Sequence, residues 1–267
     1  MRQYEYIEAL ENIFLAVLNF ISNIVYAFNF KLRKVLSRNS RLKGNGKRCF
    51  ILGNGPSIRN VDLNQLQDED TVTVNFFYDH GNNKGFVSKY YLAVDTAFYS
   101  GDPLEYLKKV HTDYPSLQMI LKYDAFRSGA FTEEDNIHFI YAKLFQYKNL
   151  IRADCTKNMT AAINVVCQCI QVALHLGYKE IYLLGCDFSQ YASLRPGHFY
   201  QPEAGLPRVT SMGSDAKWSA KVHYHHYALK KYADKQGVRI INLTPGSLID
   251  AYPRDTLENV LAEGKIL

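Results

Sequence analysis

The feature that most constrains the fold is an apolar run that ends in a glycine-rich turn. Residues 49–57 read Cys-Phe-Ile-Leu-Gly-Asn-Gly-Pro-Ser. Such a run is typical of a strand buried in a parallel sheet, and the proline after the turn indicates the start of a helix. Because Gly53 and Gly55 have no Cβ atoms, we expect a sharp turn whose N–H groups a ligand can approach closely. A strand-to-helix turn that binds nothing is the alternative.

The rest of the chain alternates between short apolar runs and segments of helical spacing. Predicted strands cover 70–75, 89–95, 117–121, 137–141, 180–187 and 238–243, and predicted helices cover 103–110, 156–176, 215–235 and a segment after 253. This alternation predicts an α/β fold with a Rossmann-like, mostly parallel sheet and helices on both faces. With 267 residues, the chain is expected to form one domain over 47–267 with an appendage over 1–46.

Polar residues follow the predicted strands at the points where they end. They are Asn54, Asn75, Asp95, Asp187 and the turn 244–247. Ligands of open parallel sheets bind beyond the carboxyl ends of the strands, so these residues are expected to line one crevice. A dinucleotide site is disfavoured, because Ile58 replaces the third glycine of the fingerprint and Asn75 stands where an acid is expected.

Residues 188–214 interrupt the alternation with a long segment that lacks periodicity. The segment carries Gln190, Tyr191, Arg195, His198 and Tyr200. A loop of this length and composition indicates a lid that folds over a ligand. In the helix that follows, His223, His225 and His226 join His198 as candidates for acid–base chemistry, a structural role being the alternative for each.

The amino-terminal region combines an uncharged helix with a basic segment. Residues 13–30 carry no charge and place large apolar side chains on one helical face, while 31–48 carry eight basic residues and no acid. Glutamates before the helix argue against a signal peptide, and its asparagines argue against a membrane span. We expect residues 12–48 to bind the cytoplasmic face of an anionic inner membrane. Packing of the helix on the domain or in a homo-oligomer is the alternative.

Charge and cysteine content argue against two further classes of function. Residues 31–48 carry a net charge of +8 and the rest of the chain a net charge of −3, so the total of +5 does not spread over the folded body and no nucleic-acid surface is predicted. The five cysteines have irregular spacing, and Cys167 and Cys169 would point to different faces of a helix. We therefore expect reduced core cysteines and no metal site.

Several stretches together resemble a known enzyme family. Residues 53–57, Asn75 with the aromatics after it, and 176–188 resemble the bacterial sialyltransferases of glycosyltransferase family 42. Residues 198–200 and 237–247 are more similar to the related motility-accessory or hydroxymethylpterin pyrophosphokinase-like domain of surface-glycan gene clusters. The resemblance covers the chain from about residue 47 to its end.

The resemblance implies a single-domain, inverting, metal-independent glycosyltransferase with a lid. Its donor would be a CMP-activated nonulosonic acid, its acceptor a glycan or glycolipid of lipopolysaccharide or capsule, and no cofactor is implied. The implied nucleotide-binding and donor-binding residues are Gly53, Asn54, Gly55, Pro56, Ser57, Asn75, Asp95, Thr160, Asp187 and Phe188. Tyr191 resembles a lid tyrosine that steadies the leaving phosphate. An ungapped count places Ala220 at the family's catalytic histidine, so His223, one turn later, is the candidate base and His198 its rival.

Two alternatives from other classes stay open. A magnesium-dependent pyrophosphokinase of the hydroxymethylpterin type would need acids around a triphosphate, and Asp95 and Asp187 are the available crevice acids. A non-catalytic component of a glycan assembly complex would bind a nucleotide without turning it over.

Overall fold

A computed structural model describes residues 2–81, 85–146, 150–201 and 207–263. The strands in these ranges are β1 (Arg48–Leu52), β2 (Asp70–Val74), β3 (Tyr90–Ala93), β4 (Gln118–Lys122), β5 (Ile137–Leu144), β6 (Asn158–Thr160), β7 (Glu180–Leu184) and β8 (Arg239–Asn242). The α-helices are α1 (Arg2–Phe28), α2 (Phe30–Ser37), α3 (Gly101–Asp113), α4 (Tyr123–Arg127), α5 (Val165–Leu176), α6 (Met212–Lys235) and α7 (Leu257–Glu263).

The described strands form a single parallel sheet in the order β6-β5-β4-β3-β2-β1-β7-β8. The chain first builds the sheet outward from β1 to β6 and then returns to place β7 on the other side of β1. The carboxyl ends of β1 and β7 thus flank the topological switch point, where open α/β sheets bind their ligands. The predicted α/β class with a parallel Rossmann-like sheet is confirmed.

Alternate residues of each strand support the core on both faces of the sheet. In β1, Cys49 and Ile51 pack with residues of α5 and α6, whereas Phe50 and Leu52 pack with residues of α2, α3 and α7. All four side chains are fully buried. This burial on both sides explains why the strand appears in the sequence as an unbroken apolar run.

The predicted helix over 156–176 is only partly correct. The helix begins at Val165, because the side chain of Asn164 accepts a hydrogen bond from the Val166 N–H at 2.8 Å and caps the first turn. The residues before it form β6, where Asn158 donates to Ser22 Oγ at 3.0 Å. The local spacing of apolar residues indicates a helix here, but contacts with this distant part of the chain stabilise a strand instead.

The helix predicted to open at Pro56 is a short 3₁₀ turn over Pro56–Asn60, followed by another over Leu63–Leu66. Val61 adopts an extended conformation between them and ends the first turn. The crossover from β1 to β2 therefore contains no α-helix.

The segment expected to be a basic linker contributes to the core. Leu32, Val35 and Leu36 of α2 are buried, at most 3% exposed. Beyond α2, Asn39 donates from Nδ2 to the carbonyl oxygens of Phe139 at 2.7 Å and Cys155 at 2.8 Å. Residues 30–42 are thus fixed to the sheet, unlike a free linker.

Candidate functional site

The turns after β1 and β7 pack directly against each other at the switch point. The N–H groups of Gly53 and Gly55 donate to the carbonyl oxygens of Leu184 and Gly185, each at 2.8 Å. A Cβ atom on Gly55 would lie 1.9 Å from Asp187 Oδ2, and one on Gly53 would lie 2.5 Å from the Gly185 oxygen. Contrary to expectation, these glycines permit close contact between two turns, and their N–H groups already have partners.

A cavity of about 370 Å³ opens above these turns. Residues predicted from the sequence that line it are Gly53, Asn54, Gly55, Pro56, Asn75, Asp95, Asp187, Phe188 and His198. Asn75 and Phe188 have positive φ angles of 50° and 52° and are the non-glycine residues of the described chain that do so. Such strained backbone persists where the surrounding structure enforces it, and it concentrates at ligand sites.

Two asparagine side chains present unsatisfied oxygens in this region. Asn54 donates from Nδ2 to the Val74 carbonyl at 3.0 Å, which fixes the orientation of its amide. The Oδ1 atoms of Asn54 and Asn75 are buried, and neither has a hydrogen-bond partner in the described chain. A buried acceptor without a partner is costly, so these oxygens indicate a ligand that supplies hydroxyl or amino donors.

Two carboxylates of the cavity are already held by local bonds. Asp187 accepts from Ser57 Oγ at 2.7 Å, so Ser57 positions the acid without lining the cavity itself. Asp95 caps a 3₁₀ turn by accepting from the Ala97 N–H at 3.0 Å. Among the described residues, no lysine or arginine lines the cavity.

A second cavity of about 440 Å³ lies between the lid and α6. It adjoins the first, and the residues common to both linings are Asn164, Phe188, Gln190, Gly197 and His198. Tyr191 and Trp218 line only the second. The described part of the lid ends at Ser211, whose hydroxyl accepts from the Ser214 N–H at 3.1 Å and caps α6.

Two arginines that the sequence analysis did not single out hold the lid. Arg59 donates to the carbonyl oxygens of Phe199 at 2.8 Å and His198 at 3.1 Å, and also to that of Gln201. The Phe199 N–H donates to the main-chain carbonyl oxygen of Asn54 at 3.0 Å. Arg208 pairs with Asp215 and donates to the main-chain carbonyl oxygen of Gln190 at 2.6 Å. These bonds fix the lid over the carboxyl end of β1.

His198 lies at the junction of the two cavities. Its Nδ1 atom is 3.3 Å from the Asn54 carbonyl oxygen, and its Nε2 atom is 3.0 Å from the side-chain nitrogen of Gln190. Burial lowers the pKa of His198, so the imidazole is neutral at neutral pH. Donation from Nδ1 to the carbonyl would leave the Nε2 lone pair free to accept a proton once Gln190 moves.

His223, the preferred candidate base of the sequence analysis, lies behind Tyr191 and lines neither cavity. The Tyr191 hydroxyl is 3.3 Å from His223 Nε2, and His223 Nδ1 is 3.7 Å from Asp250 Oδ1. Tyr227 donates to Asp250 at 2.7 Å, a bond that lowers the pKa of this carboxyl. His223 therefore reaches the second cavity through Tyr191.

The other two histidines of α6 belong to the core. His226 is buried between Cys167 and Tyr252, with Nδ1 3.0 Å from the Tyr252 hydroxyl, and burial lowers its pKa to about 3. Burial also lowers the pKa of His225 to about 4. Both are neutral structural side chains near neutral pH.

Thr160 is placed away from both cavities. It lies in β6, which four strands separate from β1, and its hydroxyl accepts from the Arg152 N–H at 2.9 Å. Its neighbour Met159 is fully buried in the core. Asn164, just before α5, lines both cavities, and its capping position was the available sequence signal.

The cysteines are all buried and unpaired, as expected for reduced core residues. Within the described ranges, no group of three or more histidine, cysteine or acidic residues is arranged to hold a metal ion.

Comparison with known proteins shows a structural similarity. No family model matches the chain, and no curated protein matches it. The fold is similar to that of the MAf glycosyltransferase from Magnetospirillum magneticum AMB-1, with a TM-score of 0.54 and 13% identity over 88% of this chain. The match covers 40% of that longer chain, so the likeness concerns the fold and leaves the specific family 42 assignment a prediction.

Proposed function

We propose that this protein is an inverting glycosyltransferase that transfers a sialic-acid-like sugar from a CMP-activated donor to a surface-glycan acceptor without a metal ion. The observation that carries the proposal is the pair of adjoining cavities with His198 at their junction. A transferase must hold two substrates side by side, with a proton acceptor between them. The glycosyltransferase-like fold supports the same class of activity.

The cavity above β1 is the proposed site of the nucleotide. Its two unpartnered amide oxygens, on Asn54 and Asn75, require hydrogen-bond donors. The ribose hydroxyls and the amino group of cytosine are such donors, whereas uracil has a carbonyl oxygen in place of that amino group. Uracil still offers its ring N3–H, so a comparison of CMP with UMP tests whether the exocyclic amino group is the donor used.

The reaction follows from the positions of the lid residues. The bond from the sugar carbon to the phosphate oxygen breaks, leaving an oxocarbenium-like sugar and a CMP phosphate that needs stabilisation. Tyr191, backed by His223, would donate to this phosphate. The acceptor hydroxyl would attack the opposite face of the sugar carbon and lose its proton to His198 Nε2. The lid would exclude water, which otherwise hydrolyses the donor.

One observation favours the pyrophosphokinase as the second candidate. The described lining of the nucleotide cavity contains Asp95 and Asp187 but no lysine or arginine. Phosphates beside carboxylates commonly require a divalent cation, and magnesium bound by these two acids and a triphosphate would meet that need.

Ligand binding with and without magnesium tests the proposal. Thermal-shift and calorimetric titrations would compare CMP, UMP, GDP and ATP. We expect CMP to stabilise the protein without magnesium, and Asn54→Ala to weaken CMP binding at least about tenfold, equivalent to about 1.4 kcal/mol. The matched control is Asn64→Ala, at an exposed asparagine outside the cavity linings.

Stabilisation only by ATP with magnesium would refute the transferase and favour the kinase. Tight CMP binding with no CMP released from any CMP-sugar, over a panel of glycan acceptors, would instead favour the non-catalytic role.

A further inference from the structure

Helix α1 packs on the domain through its polar face. The Asn19 side chain is 5% exposed and makes two bonds with the Phe145 backbone, donating at 2.9 Å and accepting at 2.7 Å. The Tyr26 hydroxyl donates to the Thr156 oxygen at 3.1 Å, and Asn23 Oδ1 accepts from Arg152 at 3.1 Å. These polar contacts fix which side of the helix faces the sheet edge.

The opposite face of α1 is apolar and exposed. Representative side chains, each 41–75% exposed, are Ile13, Phe14, Val17, Phe20, Ile24 and Phe28. This arrangement inverts the usual amphipathic surface helix, which turns its apolar face toward the core. A continuous apolar stripe of this length on a protein surface marks an interaction site.

A basic groove lies where α1 meets α2. Arg33 and Lys34, together with Ser37 and Ser40, line an open groove of about 540 Å³ beside Phe30, and Tyr26 and Thr156 complete its lining. Arg33 donates to the Ala27 carbonyl at 3.0 Å, which places its guanidinium at the end of α1. Guanidinium, ammonium and hydroxyl groups suit the phosphates of anionic lipid head groups.

The amino-terminal half of α1 approaches the second cavity. Glu11 lies 3.8 Å from Lys221 of α6, and the Lys221 ammonium lies 5.4 Å from the ring centre of Trp218. Trp218 is 51% exposed and lines that cavity. Exposed tryptophan is favoured at the boundary between lipid and water.

We infer that the exposed face of α1 lies in the plane of an anionic bilayer, with the basic groove on the lipid head groups and Trp218 at the bilayer surface. The second cavity then opens beside the lipid. Residues 9–28 are long and apolar enough to cross a membrane. Crossing would break the polar bonds of Asn19, Asn23 and Tyr26, so the in-plane position is the one compatible with the fold. This inference does not depend on the proposed reaction.

Vesicle sedimentation of the full chain tests the surface. We expect binding to vesicles that contain phosphatidylglycerol and much weaker binding to pure phosphatidylcholine. Val17→Asp combined with Ile24→Asp should weaken binding at least about tenfold, because charged side chains would enter the apolar region. The control, Asn64→Asp with Gln67→Glu, adds the same charge at exposed positions elsewhere and should change binding less than about twofold.

Trp218 is the only tryptophan in the chain and reports on orientation. Its emission should shift to shorter wavelength on vesicle binding and be quenched by brominated lipids, and carbonate should extract the bound protein. Resistance to carbonate would overturn the in-plane position in favour of a span. Binding with no response from Trp218 would overturn the orientation. If the wild type does not bind vesicles but forms an oligomer, and the double variant is dissociated, the exposed face binds a second copy of the chain instead of a membrane.

Discussion

Replacement of Gly55 by alanine should destabilise the protein through the contact between the turns after β1 and β7. The new methyl group would lie 1.9 Å from Asp187 Oδ2 and 2.7 Å from the Gly185 oxygen. Gly55 has φ −69° and ψ 157°, which alanine adopts readily, so reduced freedom of the unfolded chain should stabilise the variant by about 0.4–1 kcal/mol. Overpacking costs about 1–3 kcal/mol. Loss of the bond between Ser57 and Asp187 adds about 1.5–3 kcal/mol if the carboxylate rotates away. The expected net loss is about 1.5–5.5 kcal/mol.

Urea denaturation measures this free energy of unfolding. The matched control is Gly213→Ala in α6, where a Cβ atom meets nothing within 4 Å and stability should change by less than about 1 kcal/mol. Adding Asp187→Ala to Gly55→Ala should relieve the side-chain clash but not the clash with the Gly185 carbonyl, so the two changes should couple by about 1 kcal/mol. A Gly55→Ala protein as stable as the wild type would refute this reasoning.

Three further predictions concern the core, the lid and the sheet edge. Burial holds the pKa of His225 near 4, below the unfolded value of about 6.5. The unfolded chain therefore binds more protons than the folded chain as the pH falls below 6.5, which destabilises the fold. In His225→Leu, the free energy of unfolding measured with urea should decrease less between pH 7 and pH 4. In Arg59→Lys, the lysine cannot reproduce the guanidinium bonds to the lid. Limited proteolysis should therefore cut the lid faster, and CMP should bind about tenfold more weakly. Unchanged cleavage would contradict the role of Arg59. Thr160→Val should lower the free energy of unfolding by about 1 kcal/mol, because the main-chain N–H of Arg152 loses its acceptor. The dissociation constant of CMP should not change. Weaker CMP binding would indicate that Thr160 contributes to the site.

The strands could be predicted because parallel sheets bury both faces and so require apolar runs. Residues 50–52 and 181–184 are such runs, and both form interior strands of the sheet, with a neighbouring strand on each side. The polar residues after them, Asn54 and Asp187, line one cavity as expected, because the ends of adjacent parallel strands meet at one edge.

Features set by partners far along the chain could not be predicted in this way. The Asn158 side chain bonds to Ser22 of α1, and nothing in the local spacing around residue 158 indicates a strand there. The orientation of α1 depends equally on distant polar partners, so its pattern identified an amphipathic helix but not which face packs on the protein. Arg59 bonds to main-chain carbonyl groups of the lid. Every residue has such a group, so no residue pattern identifies the partners of Arg59.

The histidines illustrate the same limit. His198, His223 and His226 lie in or just after the lid segment, yet they occupy a cavity junction, a position behind Tyr191 and the core. Their different surroundings, instead of their residue type, determine which of them can accept a proton from a substrate.

The proposed function requires a cytidine nucleotide to bind at the switch point between β1 and β7, beneath the lid. A crystal structure of the protein grown with CMP and without magnesium tests it most directly. We expect density for the nucleotide above Gly53 and Gly55, with donors of the ligand on the Oδ1 atoms of Asn54 and Asn75 and its phosphate toward Tyr191. CMP bound elsewhere would contradict this prediction. A nucleotide cavity that holds only solvent at saturating CMP, with both asparagine oxygens bonded to protein groups, would also contradict it.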